Sequence, residues 1–455
     1  MEQVIIPGSP LDTATKLLVM LQNREAELKR LQDYYDGRHR LAFSSQKFRE
    51  AFGGLFSAFA DNWMPLVVDA VEERLNVEGF RYGDEPEADK TAWAIWQKCG
   101  LDAKSQLGHS TSLILGDSYA VVWGDEDGEP TVDVFSPNEV IVAYDPSNRT
   151  KRVAALRRFK DDNGLHTILF TPNFVYKWAQ VNMNDAWREE SAMDEPWPLP
   201  NPIGEVPVVQ FSNRPSLGAS FGVSEFKSVI PQQDAANKLL ADMMVASEFI
   251  AFPQRFATGL ELPVDDQGRV KQPFEIALDK LLISEDPETK FGTLQAGDLA
   301  NYIKGVELLV QHIASQTRTP PHYFYLSGNF PSGDAIKSAE TGLVAKSRRK
   351  MRFFGEAWEE VMRLCFAVVG DEKASVTNAE TVWGDPEYRS ESELADALVK
   401  RAAIGVPRQQ LWQDAGYTQT QISRFQAMAE QDKADSLLAP VVIPKVGNVA
   451  VTTAE

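Results

Sequence analysis

The feature that most constrains this fold is a long, uninterrupted helical pattern in the second half of the chain. Residues 334–369 keep helical spacing over about 36 positions, which corresponds to a rod of roughly 54 Å. The chain has 455 residues. That length allows two or three domains, or one extended subunit that buries surface against neighbouring molecules.

Basic residues crowd the first half of this helix, within a chain that is otherwise strongly acidic. They oppose only Asp334 and Glu340 there, and two interpretations are open: a solvated or salt-bridged helix face, or contact with phosphates. Because they spread over more than four turns, they cannot all face one way. These basic residues are Lys337, Lys346, Arg348, Arg349, Lys350 and Arg352.

The loop before the helix is rich in proline and aromatic residues, with Gly328 and Gly333 as candidate hinges. Two interpretations are open here as well, since aromatic residues are usually buried, whereas a loop between two helices can also move. The residues in question are Pro320, Pro321, Tyr323, Phe324, Tyr325 and Phe330. Together the loop and the cationic helix suggest a part that touches a polyanion without changing it chemically.

The composition restricts the possible functions. The net charge is −19, with 43% apolar and 24% charged residues, so the chain is globular and does not grip DNA over its whole surface. An acidic wall along which DNA slides is compatible with that charge. Cys99 and Cys365 are far apart, which argues against disulfides and a cysteine zinc site and fits a reducing compartment. The sequence predicts neither a signal peptide nor a membrane span.

Hydrophobic periodicity predicts an α+β chain. A β-meander is expected over 117–212, and short strand-like pieces, including 280–285, over 254–296. The last 15 or so residues are predicted to be disordered. In the N-terminal half, helices are predicted at 11–36 with Asp12 or Thr13 as the cap, at 61–76 starting near Pro65, and at 88–116. A helix of about 29 residues is predicted from Ser224, with Pro231 marking either a kink or its true start. A helix capped by Asp298 is predicted at 298–317, and a pair of helices is predicted in the C-terminal region.

Four short patterns could indicate a catalytic, metal-binding or nucleotide-binding site. Residues 218–222 match G-x-S-x-G around Ser220, but no strand abuts the motif, which favours a glycine-rich lead-in to a helix over a nucleophile. The acidic run 125–129 fits a hairpin turn better than a calcium loop. The five histidines lack metal-ligand spacing, and no phosphate-binding P-loop occurs, so neither a metal nor a nucleotide cofactor is expected.

The order of these parts, with several local matches, resembles the portal proteins of tailed bacteriophages of the siphophage type. The resemblance covers nearly the whole chain and rests on the combination of segments. The matching segments are YYDGRHRL at 34–41, NWMPLVVDAVEERLNVEGF at 62–80, FSPNEVIVAYD at 135–145, FGVSEF at 221–226 and TPPHYF at 319–324.

The resemblance implies an α+β portal fold with a wing, a long-helix stem, a small α/β clip and a helical crown. Carried over by position, it implies these parts: N-terminal wing with helices and β-meander 1–225, first stem helix 226–253, clip 254–297, second stem helix 298–317, tunnel loop 318–335, long wing helix 336–372, and C-terminal wing or crown helices with a disordered tail 373–455.

The resemblance also implies a function without catalysis. A homododecameric ring would stand at one capsid vertex of the virion, assembled in the host cytoplasm, and double-stranded DNA would be packaged and ejected through it. Expected partners are the terminase large subunit, a head–tail adaptor protein, the major capsid protein and a scaffold protein, with no membrane and no cofactor.

Two groups of site residues follow from this placement. Candidates for the DNA channel and tunnel loop are Tyr323, Tyr325, Asn329, Lys337, Lys346, Arg348, Arg349 and Lys350. Candidates for partner docking on the clip are Asp265, Asp266, Arg269, Lys271, Glu285 and Asp286. Two alternatives stay open: a serine hydrolase that uses Ser220, and a minor capsid or connector protein without DNA contact.

Overall fold

The chain combines helices and sheets in two units of a computed structural model, which confirms the α+β class. The first unit comprises residues 1–29, 68–225 and 343–455, and the second comprises 30–67 and 226–342. The residues whose structure is described are 6–39, 41, 61–83, 88–182, 185–190, 196–251, 255–259, 267, 288–293, 298–324, 333–387, 391–417 and 419–438.

Helix α1, Pro10–Tyr35, confirms the first predicted helix. Its leucines at helical spacing, Leu17, Leu18 and Leu21, are buried as expected. The predicted caps Asp12 and Thr13 are wrong, because the Ser9 hydroxyl accepts the hydrogen bond from the Asp12 backbone N–H at 3.2 Å. Since both predicted caps lie inside the helix, Ser9 supplies the side-chain oxygen that its first turn needs.

The region predicted as one helix over 88–116 consists of two helices. Helix α2, Met64–Glu72, lies before this region. Within the region, helix α3 spans Lys90–Lys98 and helix α4 spans Leu101–Leu115. Gly100 separates α3 from α4 because its φ of 65° lies in the left-handed region, where glycine is favoured. The prediction of a single helix over this region is therefore wrong, because the backbone of Gly100 interrupts it.

The predicted meander is divided between two antiparallel sheets. One has the order β10-β2-β3, and the other has the order β4-β5-β6-β7-β8, with β9 also paired to β7. The strands are β2 Asp117–Gly124, β3 Pro130–Phe135, β4 Val140–Tyr144, β5 Arg152–Asp161, β6 Gly164–Phe170, β7 Phe174–Gln180, β8 Arg188–Glu189, β9 Leu199–Pro200 and β10 Val208–Ser212.

The sheet that begins with β4 is buried on both faces, and its residues alternate between two cores. Ile141 and Leu156 pack with the α1 leucines and Trp178. Val140 and Ala155, one position away, pack with Tyr119 and Val208 of the other sheet. A one-residue slip would exchange the two sets of side chains, so this alternation determines the strand register.

His166 ties the edge of this sheet to its interior. Its Nδ1 lies 2.8 Å from Glu190 Oε2 and its Nε2 lies 2.9 Å from Asp161 Oδ1. The Glu190 carboxylate, with a further contribution from Asp161, raises the pKa of His166. A raised folded-state pKa means that the stabilisation is present below the unfolded value of 6.5 and is lost as pH rises through the folded value.

We therefore expect hydrogen exchange at residues 185–190 to accelerate as pH rises past the folded-state pKa of His166, after correction for intrinsic exchange. His166→Gln should exchange quickly at every pH, since it carries no charge for the two carboxylates. Residues 140–144 of β4, the strand at the opposite edge of this sheet, provide the control and should show no such step. A wild-type profile that stays flat across this range would contradict the proposed role of the imidazolium.

A pairing that was not predicted joins distant parts of the first unit. Strand β1, Val77–Tyr82, pairs antiparallel with β13, Ala379–Trp383. Beside it lies an aromatic cluster in which Trp358 is 1% exposed and Trp96 packs edge-on against it at 4.9 Å. Because roughly 300 residues separate the two strands, no local pattern indicates that they meet.

In the described part of the second unit, two complete helices accompany a short two-stranded sheet. Helix α5 spans Ile230–Ala251, so Pro231 lies in its first turn and marks the true start. Helix α6 spans Ala300–Thr317, and its cap residue is Leu299, which makes no side-chain capping hydrogen bond. The predicted cap Asp298 lies one residue earlier, where its Oδ1 accepts from the Ala300 N–H at 2.9 Å. Strands β11, Arg255–Thr258, and β12, Lys290–Thr293, pair antiparallel. The strand predicted at 280–285 lies outside the described residues.

Helix α7 spans Gly333–Val369 and confirms the long helix. After it come α8 Glu391–Ala403, α9 Arg408–Asp414 and α10 Gln419–Leu438, so the predicted C-terminal pair is three helices. The extra break falls at Gly416, where φ is 82°. The predicted disordered tail lies beyond the described residues.

Candidate functional site

The basic residues of α7 separate into two groups. Lys346 and Lys350 are buried, whereas Arg348, Arg349 and Arg352 are exposed. The separation follows from helical geometry, because positions four apart share a face and positions two apart do not. The exposed group is the candidate for phosphate contact.

The buried lysines form an ion cluster with Glu225. Lys350 Nζ donates to Glu225 Oε2 at 2.7 Å and also donates to Asn213 Oδ1, while Lys346 Nζ lies 3.5 Å from Glu225 Oε1. Burial acts to raise the pKa of Glu225, but the two ammonium groups outweigh it and the pKa is lowered. Burial lowers the pKa of Lys346 to about 8 and also lowers that of Lys350.

This cluster corrects the prediction that Lys346 and Lys350 line a DNA channel. A lysine must present its ammonium to solvent in order to replace the counterions of a phosphate. Both amines point instead at a carboxylate that is 2% exposed. In this structure they are structural groups, because an unpaired charge at the same place would be costly.

The segment that carries Glu225 is held by backbone contacts at close range. The Asn213 N–H donates to the Gly116 carbonyl at 2.8 Å, and the Glu225 N–H donates to the Leu113 carbonyl at 2.8 Å. A Cβ on Gly222 would lie 2.1 Å from the Gly116 oxygen, so only glycine fits there. Gly222, the second glycine of the G-x-S-x-G pattern, therefore allows its backbone to lie close to that of Gly116.

Asp117 secures the same segment from the other side. Its Oδ1 accepts hydrogen bonds from Gln210, Ser212 and the Gly222 N–H at 2.8 to 2.9 Å. Its Oδ2 accepts from Arg24 at 2.7 Å. This fully buried carboxylate thus joins α1, β10 and the glycine-rich segment.

The surroundings of Ser220 do not resemble a hydrolase site. Ser220 is exposed, and its carbonyl accepts from Gln210 Nε2 at 3.2 Å. The two described histidines of the same unit are engaged elsewhere: His166 contacts Asp161 and Glu190, and His109 accepts from the Trp358 indole N–H. The described histidines of this unit are therefore committed to other contacts and do not serve as a base for the Ser220 hydroxyl.

The partners described for Arg348 and Arg349 are weak. Arg348 lies 3.8 Å from both Asp385 and Glu387, and all three side chains are substantially solvated. Arg349 lies over the Phe353 ring at 5.8 Å from its centroid. Solvated pairs of this kind contribute little and are easily exchanged for another anion.

In the second unit, the start of the predicted tunnel loop is anchored. Arg318 ends α6 in the left-handed conformation, with φ of 54°. The Tyr323 hydroxyl donates to Glu340 Oε1 at 3.3 Å, and His322 Nε2 lies 3.7 Å from the same oxygen. Tyr323 is therefore part of an anchor on α7, and Lys337, one turn earlier, is exposed. Tyr325 and Asn329 lie outside the described residues.

Helices α5 and α6 pack closely where Gly305 faces Leu239. A Cβ on Gly305 would lie 3.0 Å from Leu239 Cδ1. Large apolar side chains remain exposed on both helices, namely Met244, Ile303 and Leu308.

The clip candidates lie outside the described residues, and two other kinds of site were looked for within those residues. All six clip candidates, Asp265, Asp266, Arg269, Lys271, Glu285 and Asp286, lie among residues that the structure does not describe. Within the ranges that it does describe, no group of three or more potential metal ligands comes together. None of the described helices combines the length and apolar character needed to cross a membrane.

The sequence interpretation missed Glu225, Asn213 and Asp117. Glu225 lies in the FGVSEF segment next to Phe226 and two residues after Val223, and these apolar residues are an available signal for a buried charge. The partner signal is the four-residue spacing of Lys346 and Lys350 within the apolar stripe of α7. Only the folded chain shows that these two signals refer to one cluster.

Comparison with known proteins gives a consistent result at the sequence level. Residues 20–436 match the family model described as phage portal protein, SPP1 Gp6-like. The portal protein of Mycobacterium phage D29 is 31% identical over 395 residues, covering 82% of this chain and 79% of that protein. The portal protein of Mycobacterium phage L5 is 31% identical over 392 residues, with the same coverage.

Solved structures give weaker similarity. A chain in the virion of a native gene transfer agent particle matches with a TM-score of 0.43 and 12% identity, covering 77% of this chain and 87% of that one. A chain in the neck of an empty gene transfer agent particle matches with a TM-score of 0.45 and 10% identity, covering 76% and 85%. These scores are too low to support an argument.

Proposed function

Because this chain belongs to the SPP1 Gp6-like family of phage portal proteins, we propose that it forms a ring at one capsid vertex, with a central channel for double-stranded DNA. The family match over residues 20–436 carries this proposal and confirms the resemblance seen in the sequence. It favours the portal role over both a hydrolase and a connector without DNA contact.

The division of the chain supports a boundary between wing and stem near residue 225. Residues 226–342 form one continuous stretch of the second unit, and this stretch contains the proposed stem helices, the clip and the whole tunnel loop. Glu225, Lys346 and Lys350 belong to the first unit and hold together the proposed wing. Residues 30–67 belong to the second unit, so the proposed wing is not a single contiguous range.

We place the DNA contact on exposed cations. Arg348, Arg349 and Lys337 remain from the predicted set, and Arg352 joins them because it is exposed on the same helix. Few cations on a chain of net charge −19 would hold a duplex weakly. Weak attachment suits DNA that must move through the channel in both directions.

Reversing Arg348, Arg349 and Arg352 to glutamate is expected to lower the DNA content of particles severalfold while rings still form. The physical reason is that three phosphate contacts become repulsive. Quantification of encapsidated DNA, with ring counts by negative stain, measures both effects. The matched control reverses Lys16, Lys98 and Lys400, which are exposed and have acidic partners elsewhere. Equal DNA content in the two triple variants would contradict arginine-mediated contact.

The ring is tested by light scattering and negative-stain imaging of the purified chain. Twelve copies of 50.7 kDa give a mass of about 608 kDa, and a thirteenfold ring would also support the proposal. If the free chain is a monomer, the test is repeated with capsid and scaffold proteins present. Capsids that package DNA normally without this chain would refute the portal role.

The remaining assignments are partners and location. We propose that the ring stands in the virion, is assembled in the host cytoplasm, and binds the terminase large subunit, a head–tail adaptor, the major capsid protein and a scaffold protein. In this proposal the chain performs no catalysis, and the energy for packaging comes from the motor docked on it. Labelling of Ser220 by a fluorophosphonate would contradict the noncatalytic role.

A further inference from the structure

An aromatic pocket of about 520 Å³ opens at the edge of the larger sheet, where the start of α1 meets β7. Tyr176 and Trp178 occupy alternate positions of β7 and therefore point to the same face. Their rings are nearly parallel, with an interplanar angle of 9° and centroids 5.7 Å apart. Together they form the floor of the pocket, which is within the size range of protein binding sites.

Two further tryptophans form walls on this floor. The Trp187 ring stands at 68° to Trp178 with centroids 5.5 Å apart, and the Trp197 ring stands at 72° with centroids 6.1 Å apart. The Trp197 indole N–H donates to the Lys177 carbonyl at 3.0 Å, which fixes that wall. Tyr176, Trp187 and Trp197 are half-buried, so their rings keep accessible surface.

The rim of the pocket is negative. Among the described residues that line it, Glu189 is the charged one, and its side chain is exposed. Glu189 lies directly opposite Trp178 in the pairing of β7 with β8, so both side chains project from the same face.

We propose that this aromatic box binds an arginine or lysine side chain presented by a partner protein. The faces of tryptophan and tyrosine rings attract cations within about 6 Å, and a carboxylate at the rim adds a second attraction of the same sign. An anion would be repelled by both features. A purely apolar side chain would use the rings but would gain nothing from Glu189, so charge complementarity selects the cation.

The test is fluorescence anisotropy of a labelled peptide, Gly-Ser-Gly-Arg-Gly-Ser-Gly, titrated with the purified full chain. We expect saturable binding, weakened at least tenfold when norleucine replaces the arginine, since that change removes the charge and keeps an alkyl chain. Lysine at the same position should bind within a fewfold of arginine. Absence of saturable binding up to about 5 mM would overturn the proposal.

Variants of the chain locate the binding. Trp187→Ala should weaken binding about tenfold, Trp187→Phe should restore part of it, and Glu189→Gln should weaken it severalfold, with greater loss at low salt. Glu126→Gln, an exposed glutamate on the β2–β3 hairpin, is the matched control and should have no effect. Equal affinity for arginine and norleucine peptides, or binding unaffected by Trp187→Ala, would refute the cation box.

Discussion

Replacing Glu225 by glutamine is expected to lower the free energy of unfolding of the first unit by about 3–5 kcal/mol. Glutamine keeps the shape but removes the charge that lies 2.7 Å from Lys350 and 3.5 Å from Lys346. Two buried ammonium groups would then remain without a counter-charge. Urea unfolding followed by tryptophan fluorescence measures the change in the midpoint and slope of the first unit's transition.

The matched control for this variant is Glu387→Gln. Its carboxylate lies 3.8 Å from Arg348, and both side chains are solvated. An exposed pair of this kind contributes less than about 1 kcal/mol, so the control should unfold almost like the unchanged chain. A similar loss in both variants would show that burial of the Glu225 cluster has no special energetic role.

A compensating variant separates charge from packing. Adding Lys346→Met and Lys350→Met to Glu225→Gln removes the uncompensated ammonium groups and should recover most of the lost stability. The pKa of Glu225 is lowered in the folded chain. Its contribution to the free energy of unfolding is therefore present above the unfolded value of 4.5 and is lost as pH falls through the folded value. Failure of the compensating variant to recover stability would assign the loss to shape.

Replacing Trp358 by alanine is expected to cost about 3–5 kcal/mol by leaving a cavity between α7, α3 and β10. The ring packs 4.6 Å from Phe211 and 4.9 Å from Trp96, measured between centroids. It also donates its indole N–H to His109 Nε2 at 2.8 Å, and burial lowers the pKa of His109 to about 3. Thermal unfolding and the amount of soluble protein measure the loss.

Two variants distinguish the cavity from the hydrogen bond. Trp358→Phe keeps most of the packing and removes the donor, so it should cost about 1–3 kcal/mol, the penalty for an unsatisfied buried acceptor. Phe353→Ala removes a ring on the same helix that is 39% exposed, and it should cost less than about 1 kcal/mol. A large loss in Phe353→Ala would show that burial does not determine the effect, since alanine itself favours the helix.

Periodic segments were predicted well because their signals are local. The long helix α7, the strands β2 to β7 and the start of α5 at Pro231 follow from spacing and from a single proline. The errors fall at single residues such as Gly100 and Gly416, where a left-handed backbone ends a helix whose apolar spacing continues. Glycine within a helical pattern is compatible with both outcomes, so periodicity alone does not decide between them.

The candidate site was predicted only in part. The cationic character of α7 and the position of the loop before it are visible in the sequence. The sequence does not show which of these cations are exposed. Arg349 and Lys350 are adjacent in the chain, yet Arg349 is exposed and Lys350 is buried. The glycine motif around Ser220 was correctly favoured as structural, and the structure supplies the reason in the contact between Gly222 and Gly116.

By itself, the sequence determined the α+β class, the long helix, the acidic balance and the resemblance to phage portal proteins, since each depends on composition, local spacing or the order of segments. Only the tertiary structure decided that Glu225 neutralises Lys346 and Lys350 across more than 120 residues, that β1 pairs with β13, and that four aromatic rings enclose a pocket beside Glu189. These features depend on which distant segments become neighbours, and burial then changes the energy of a charge more than its sequence context does.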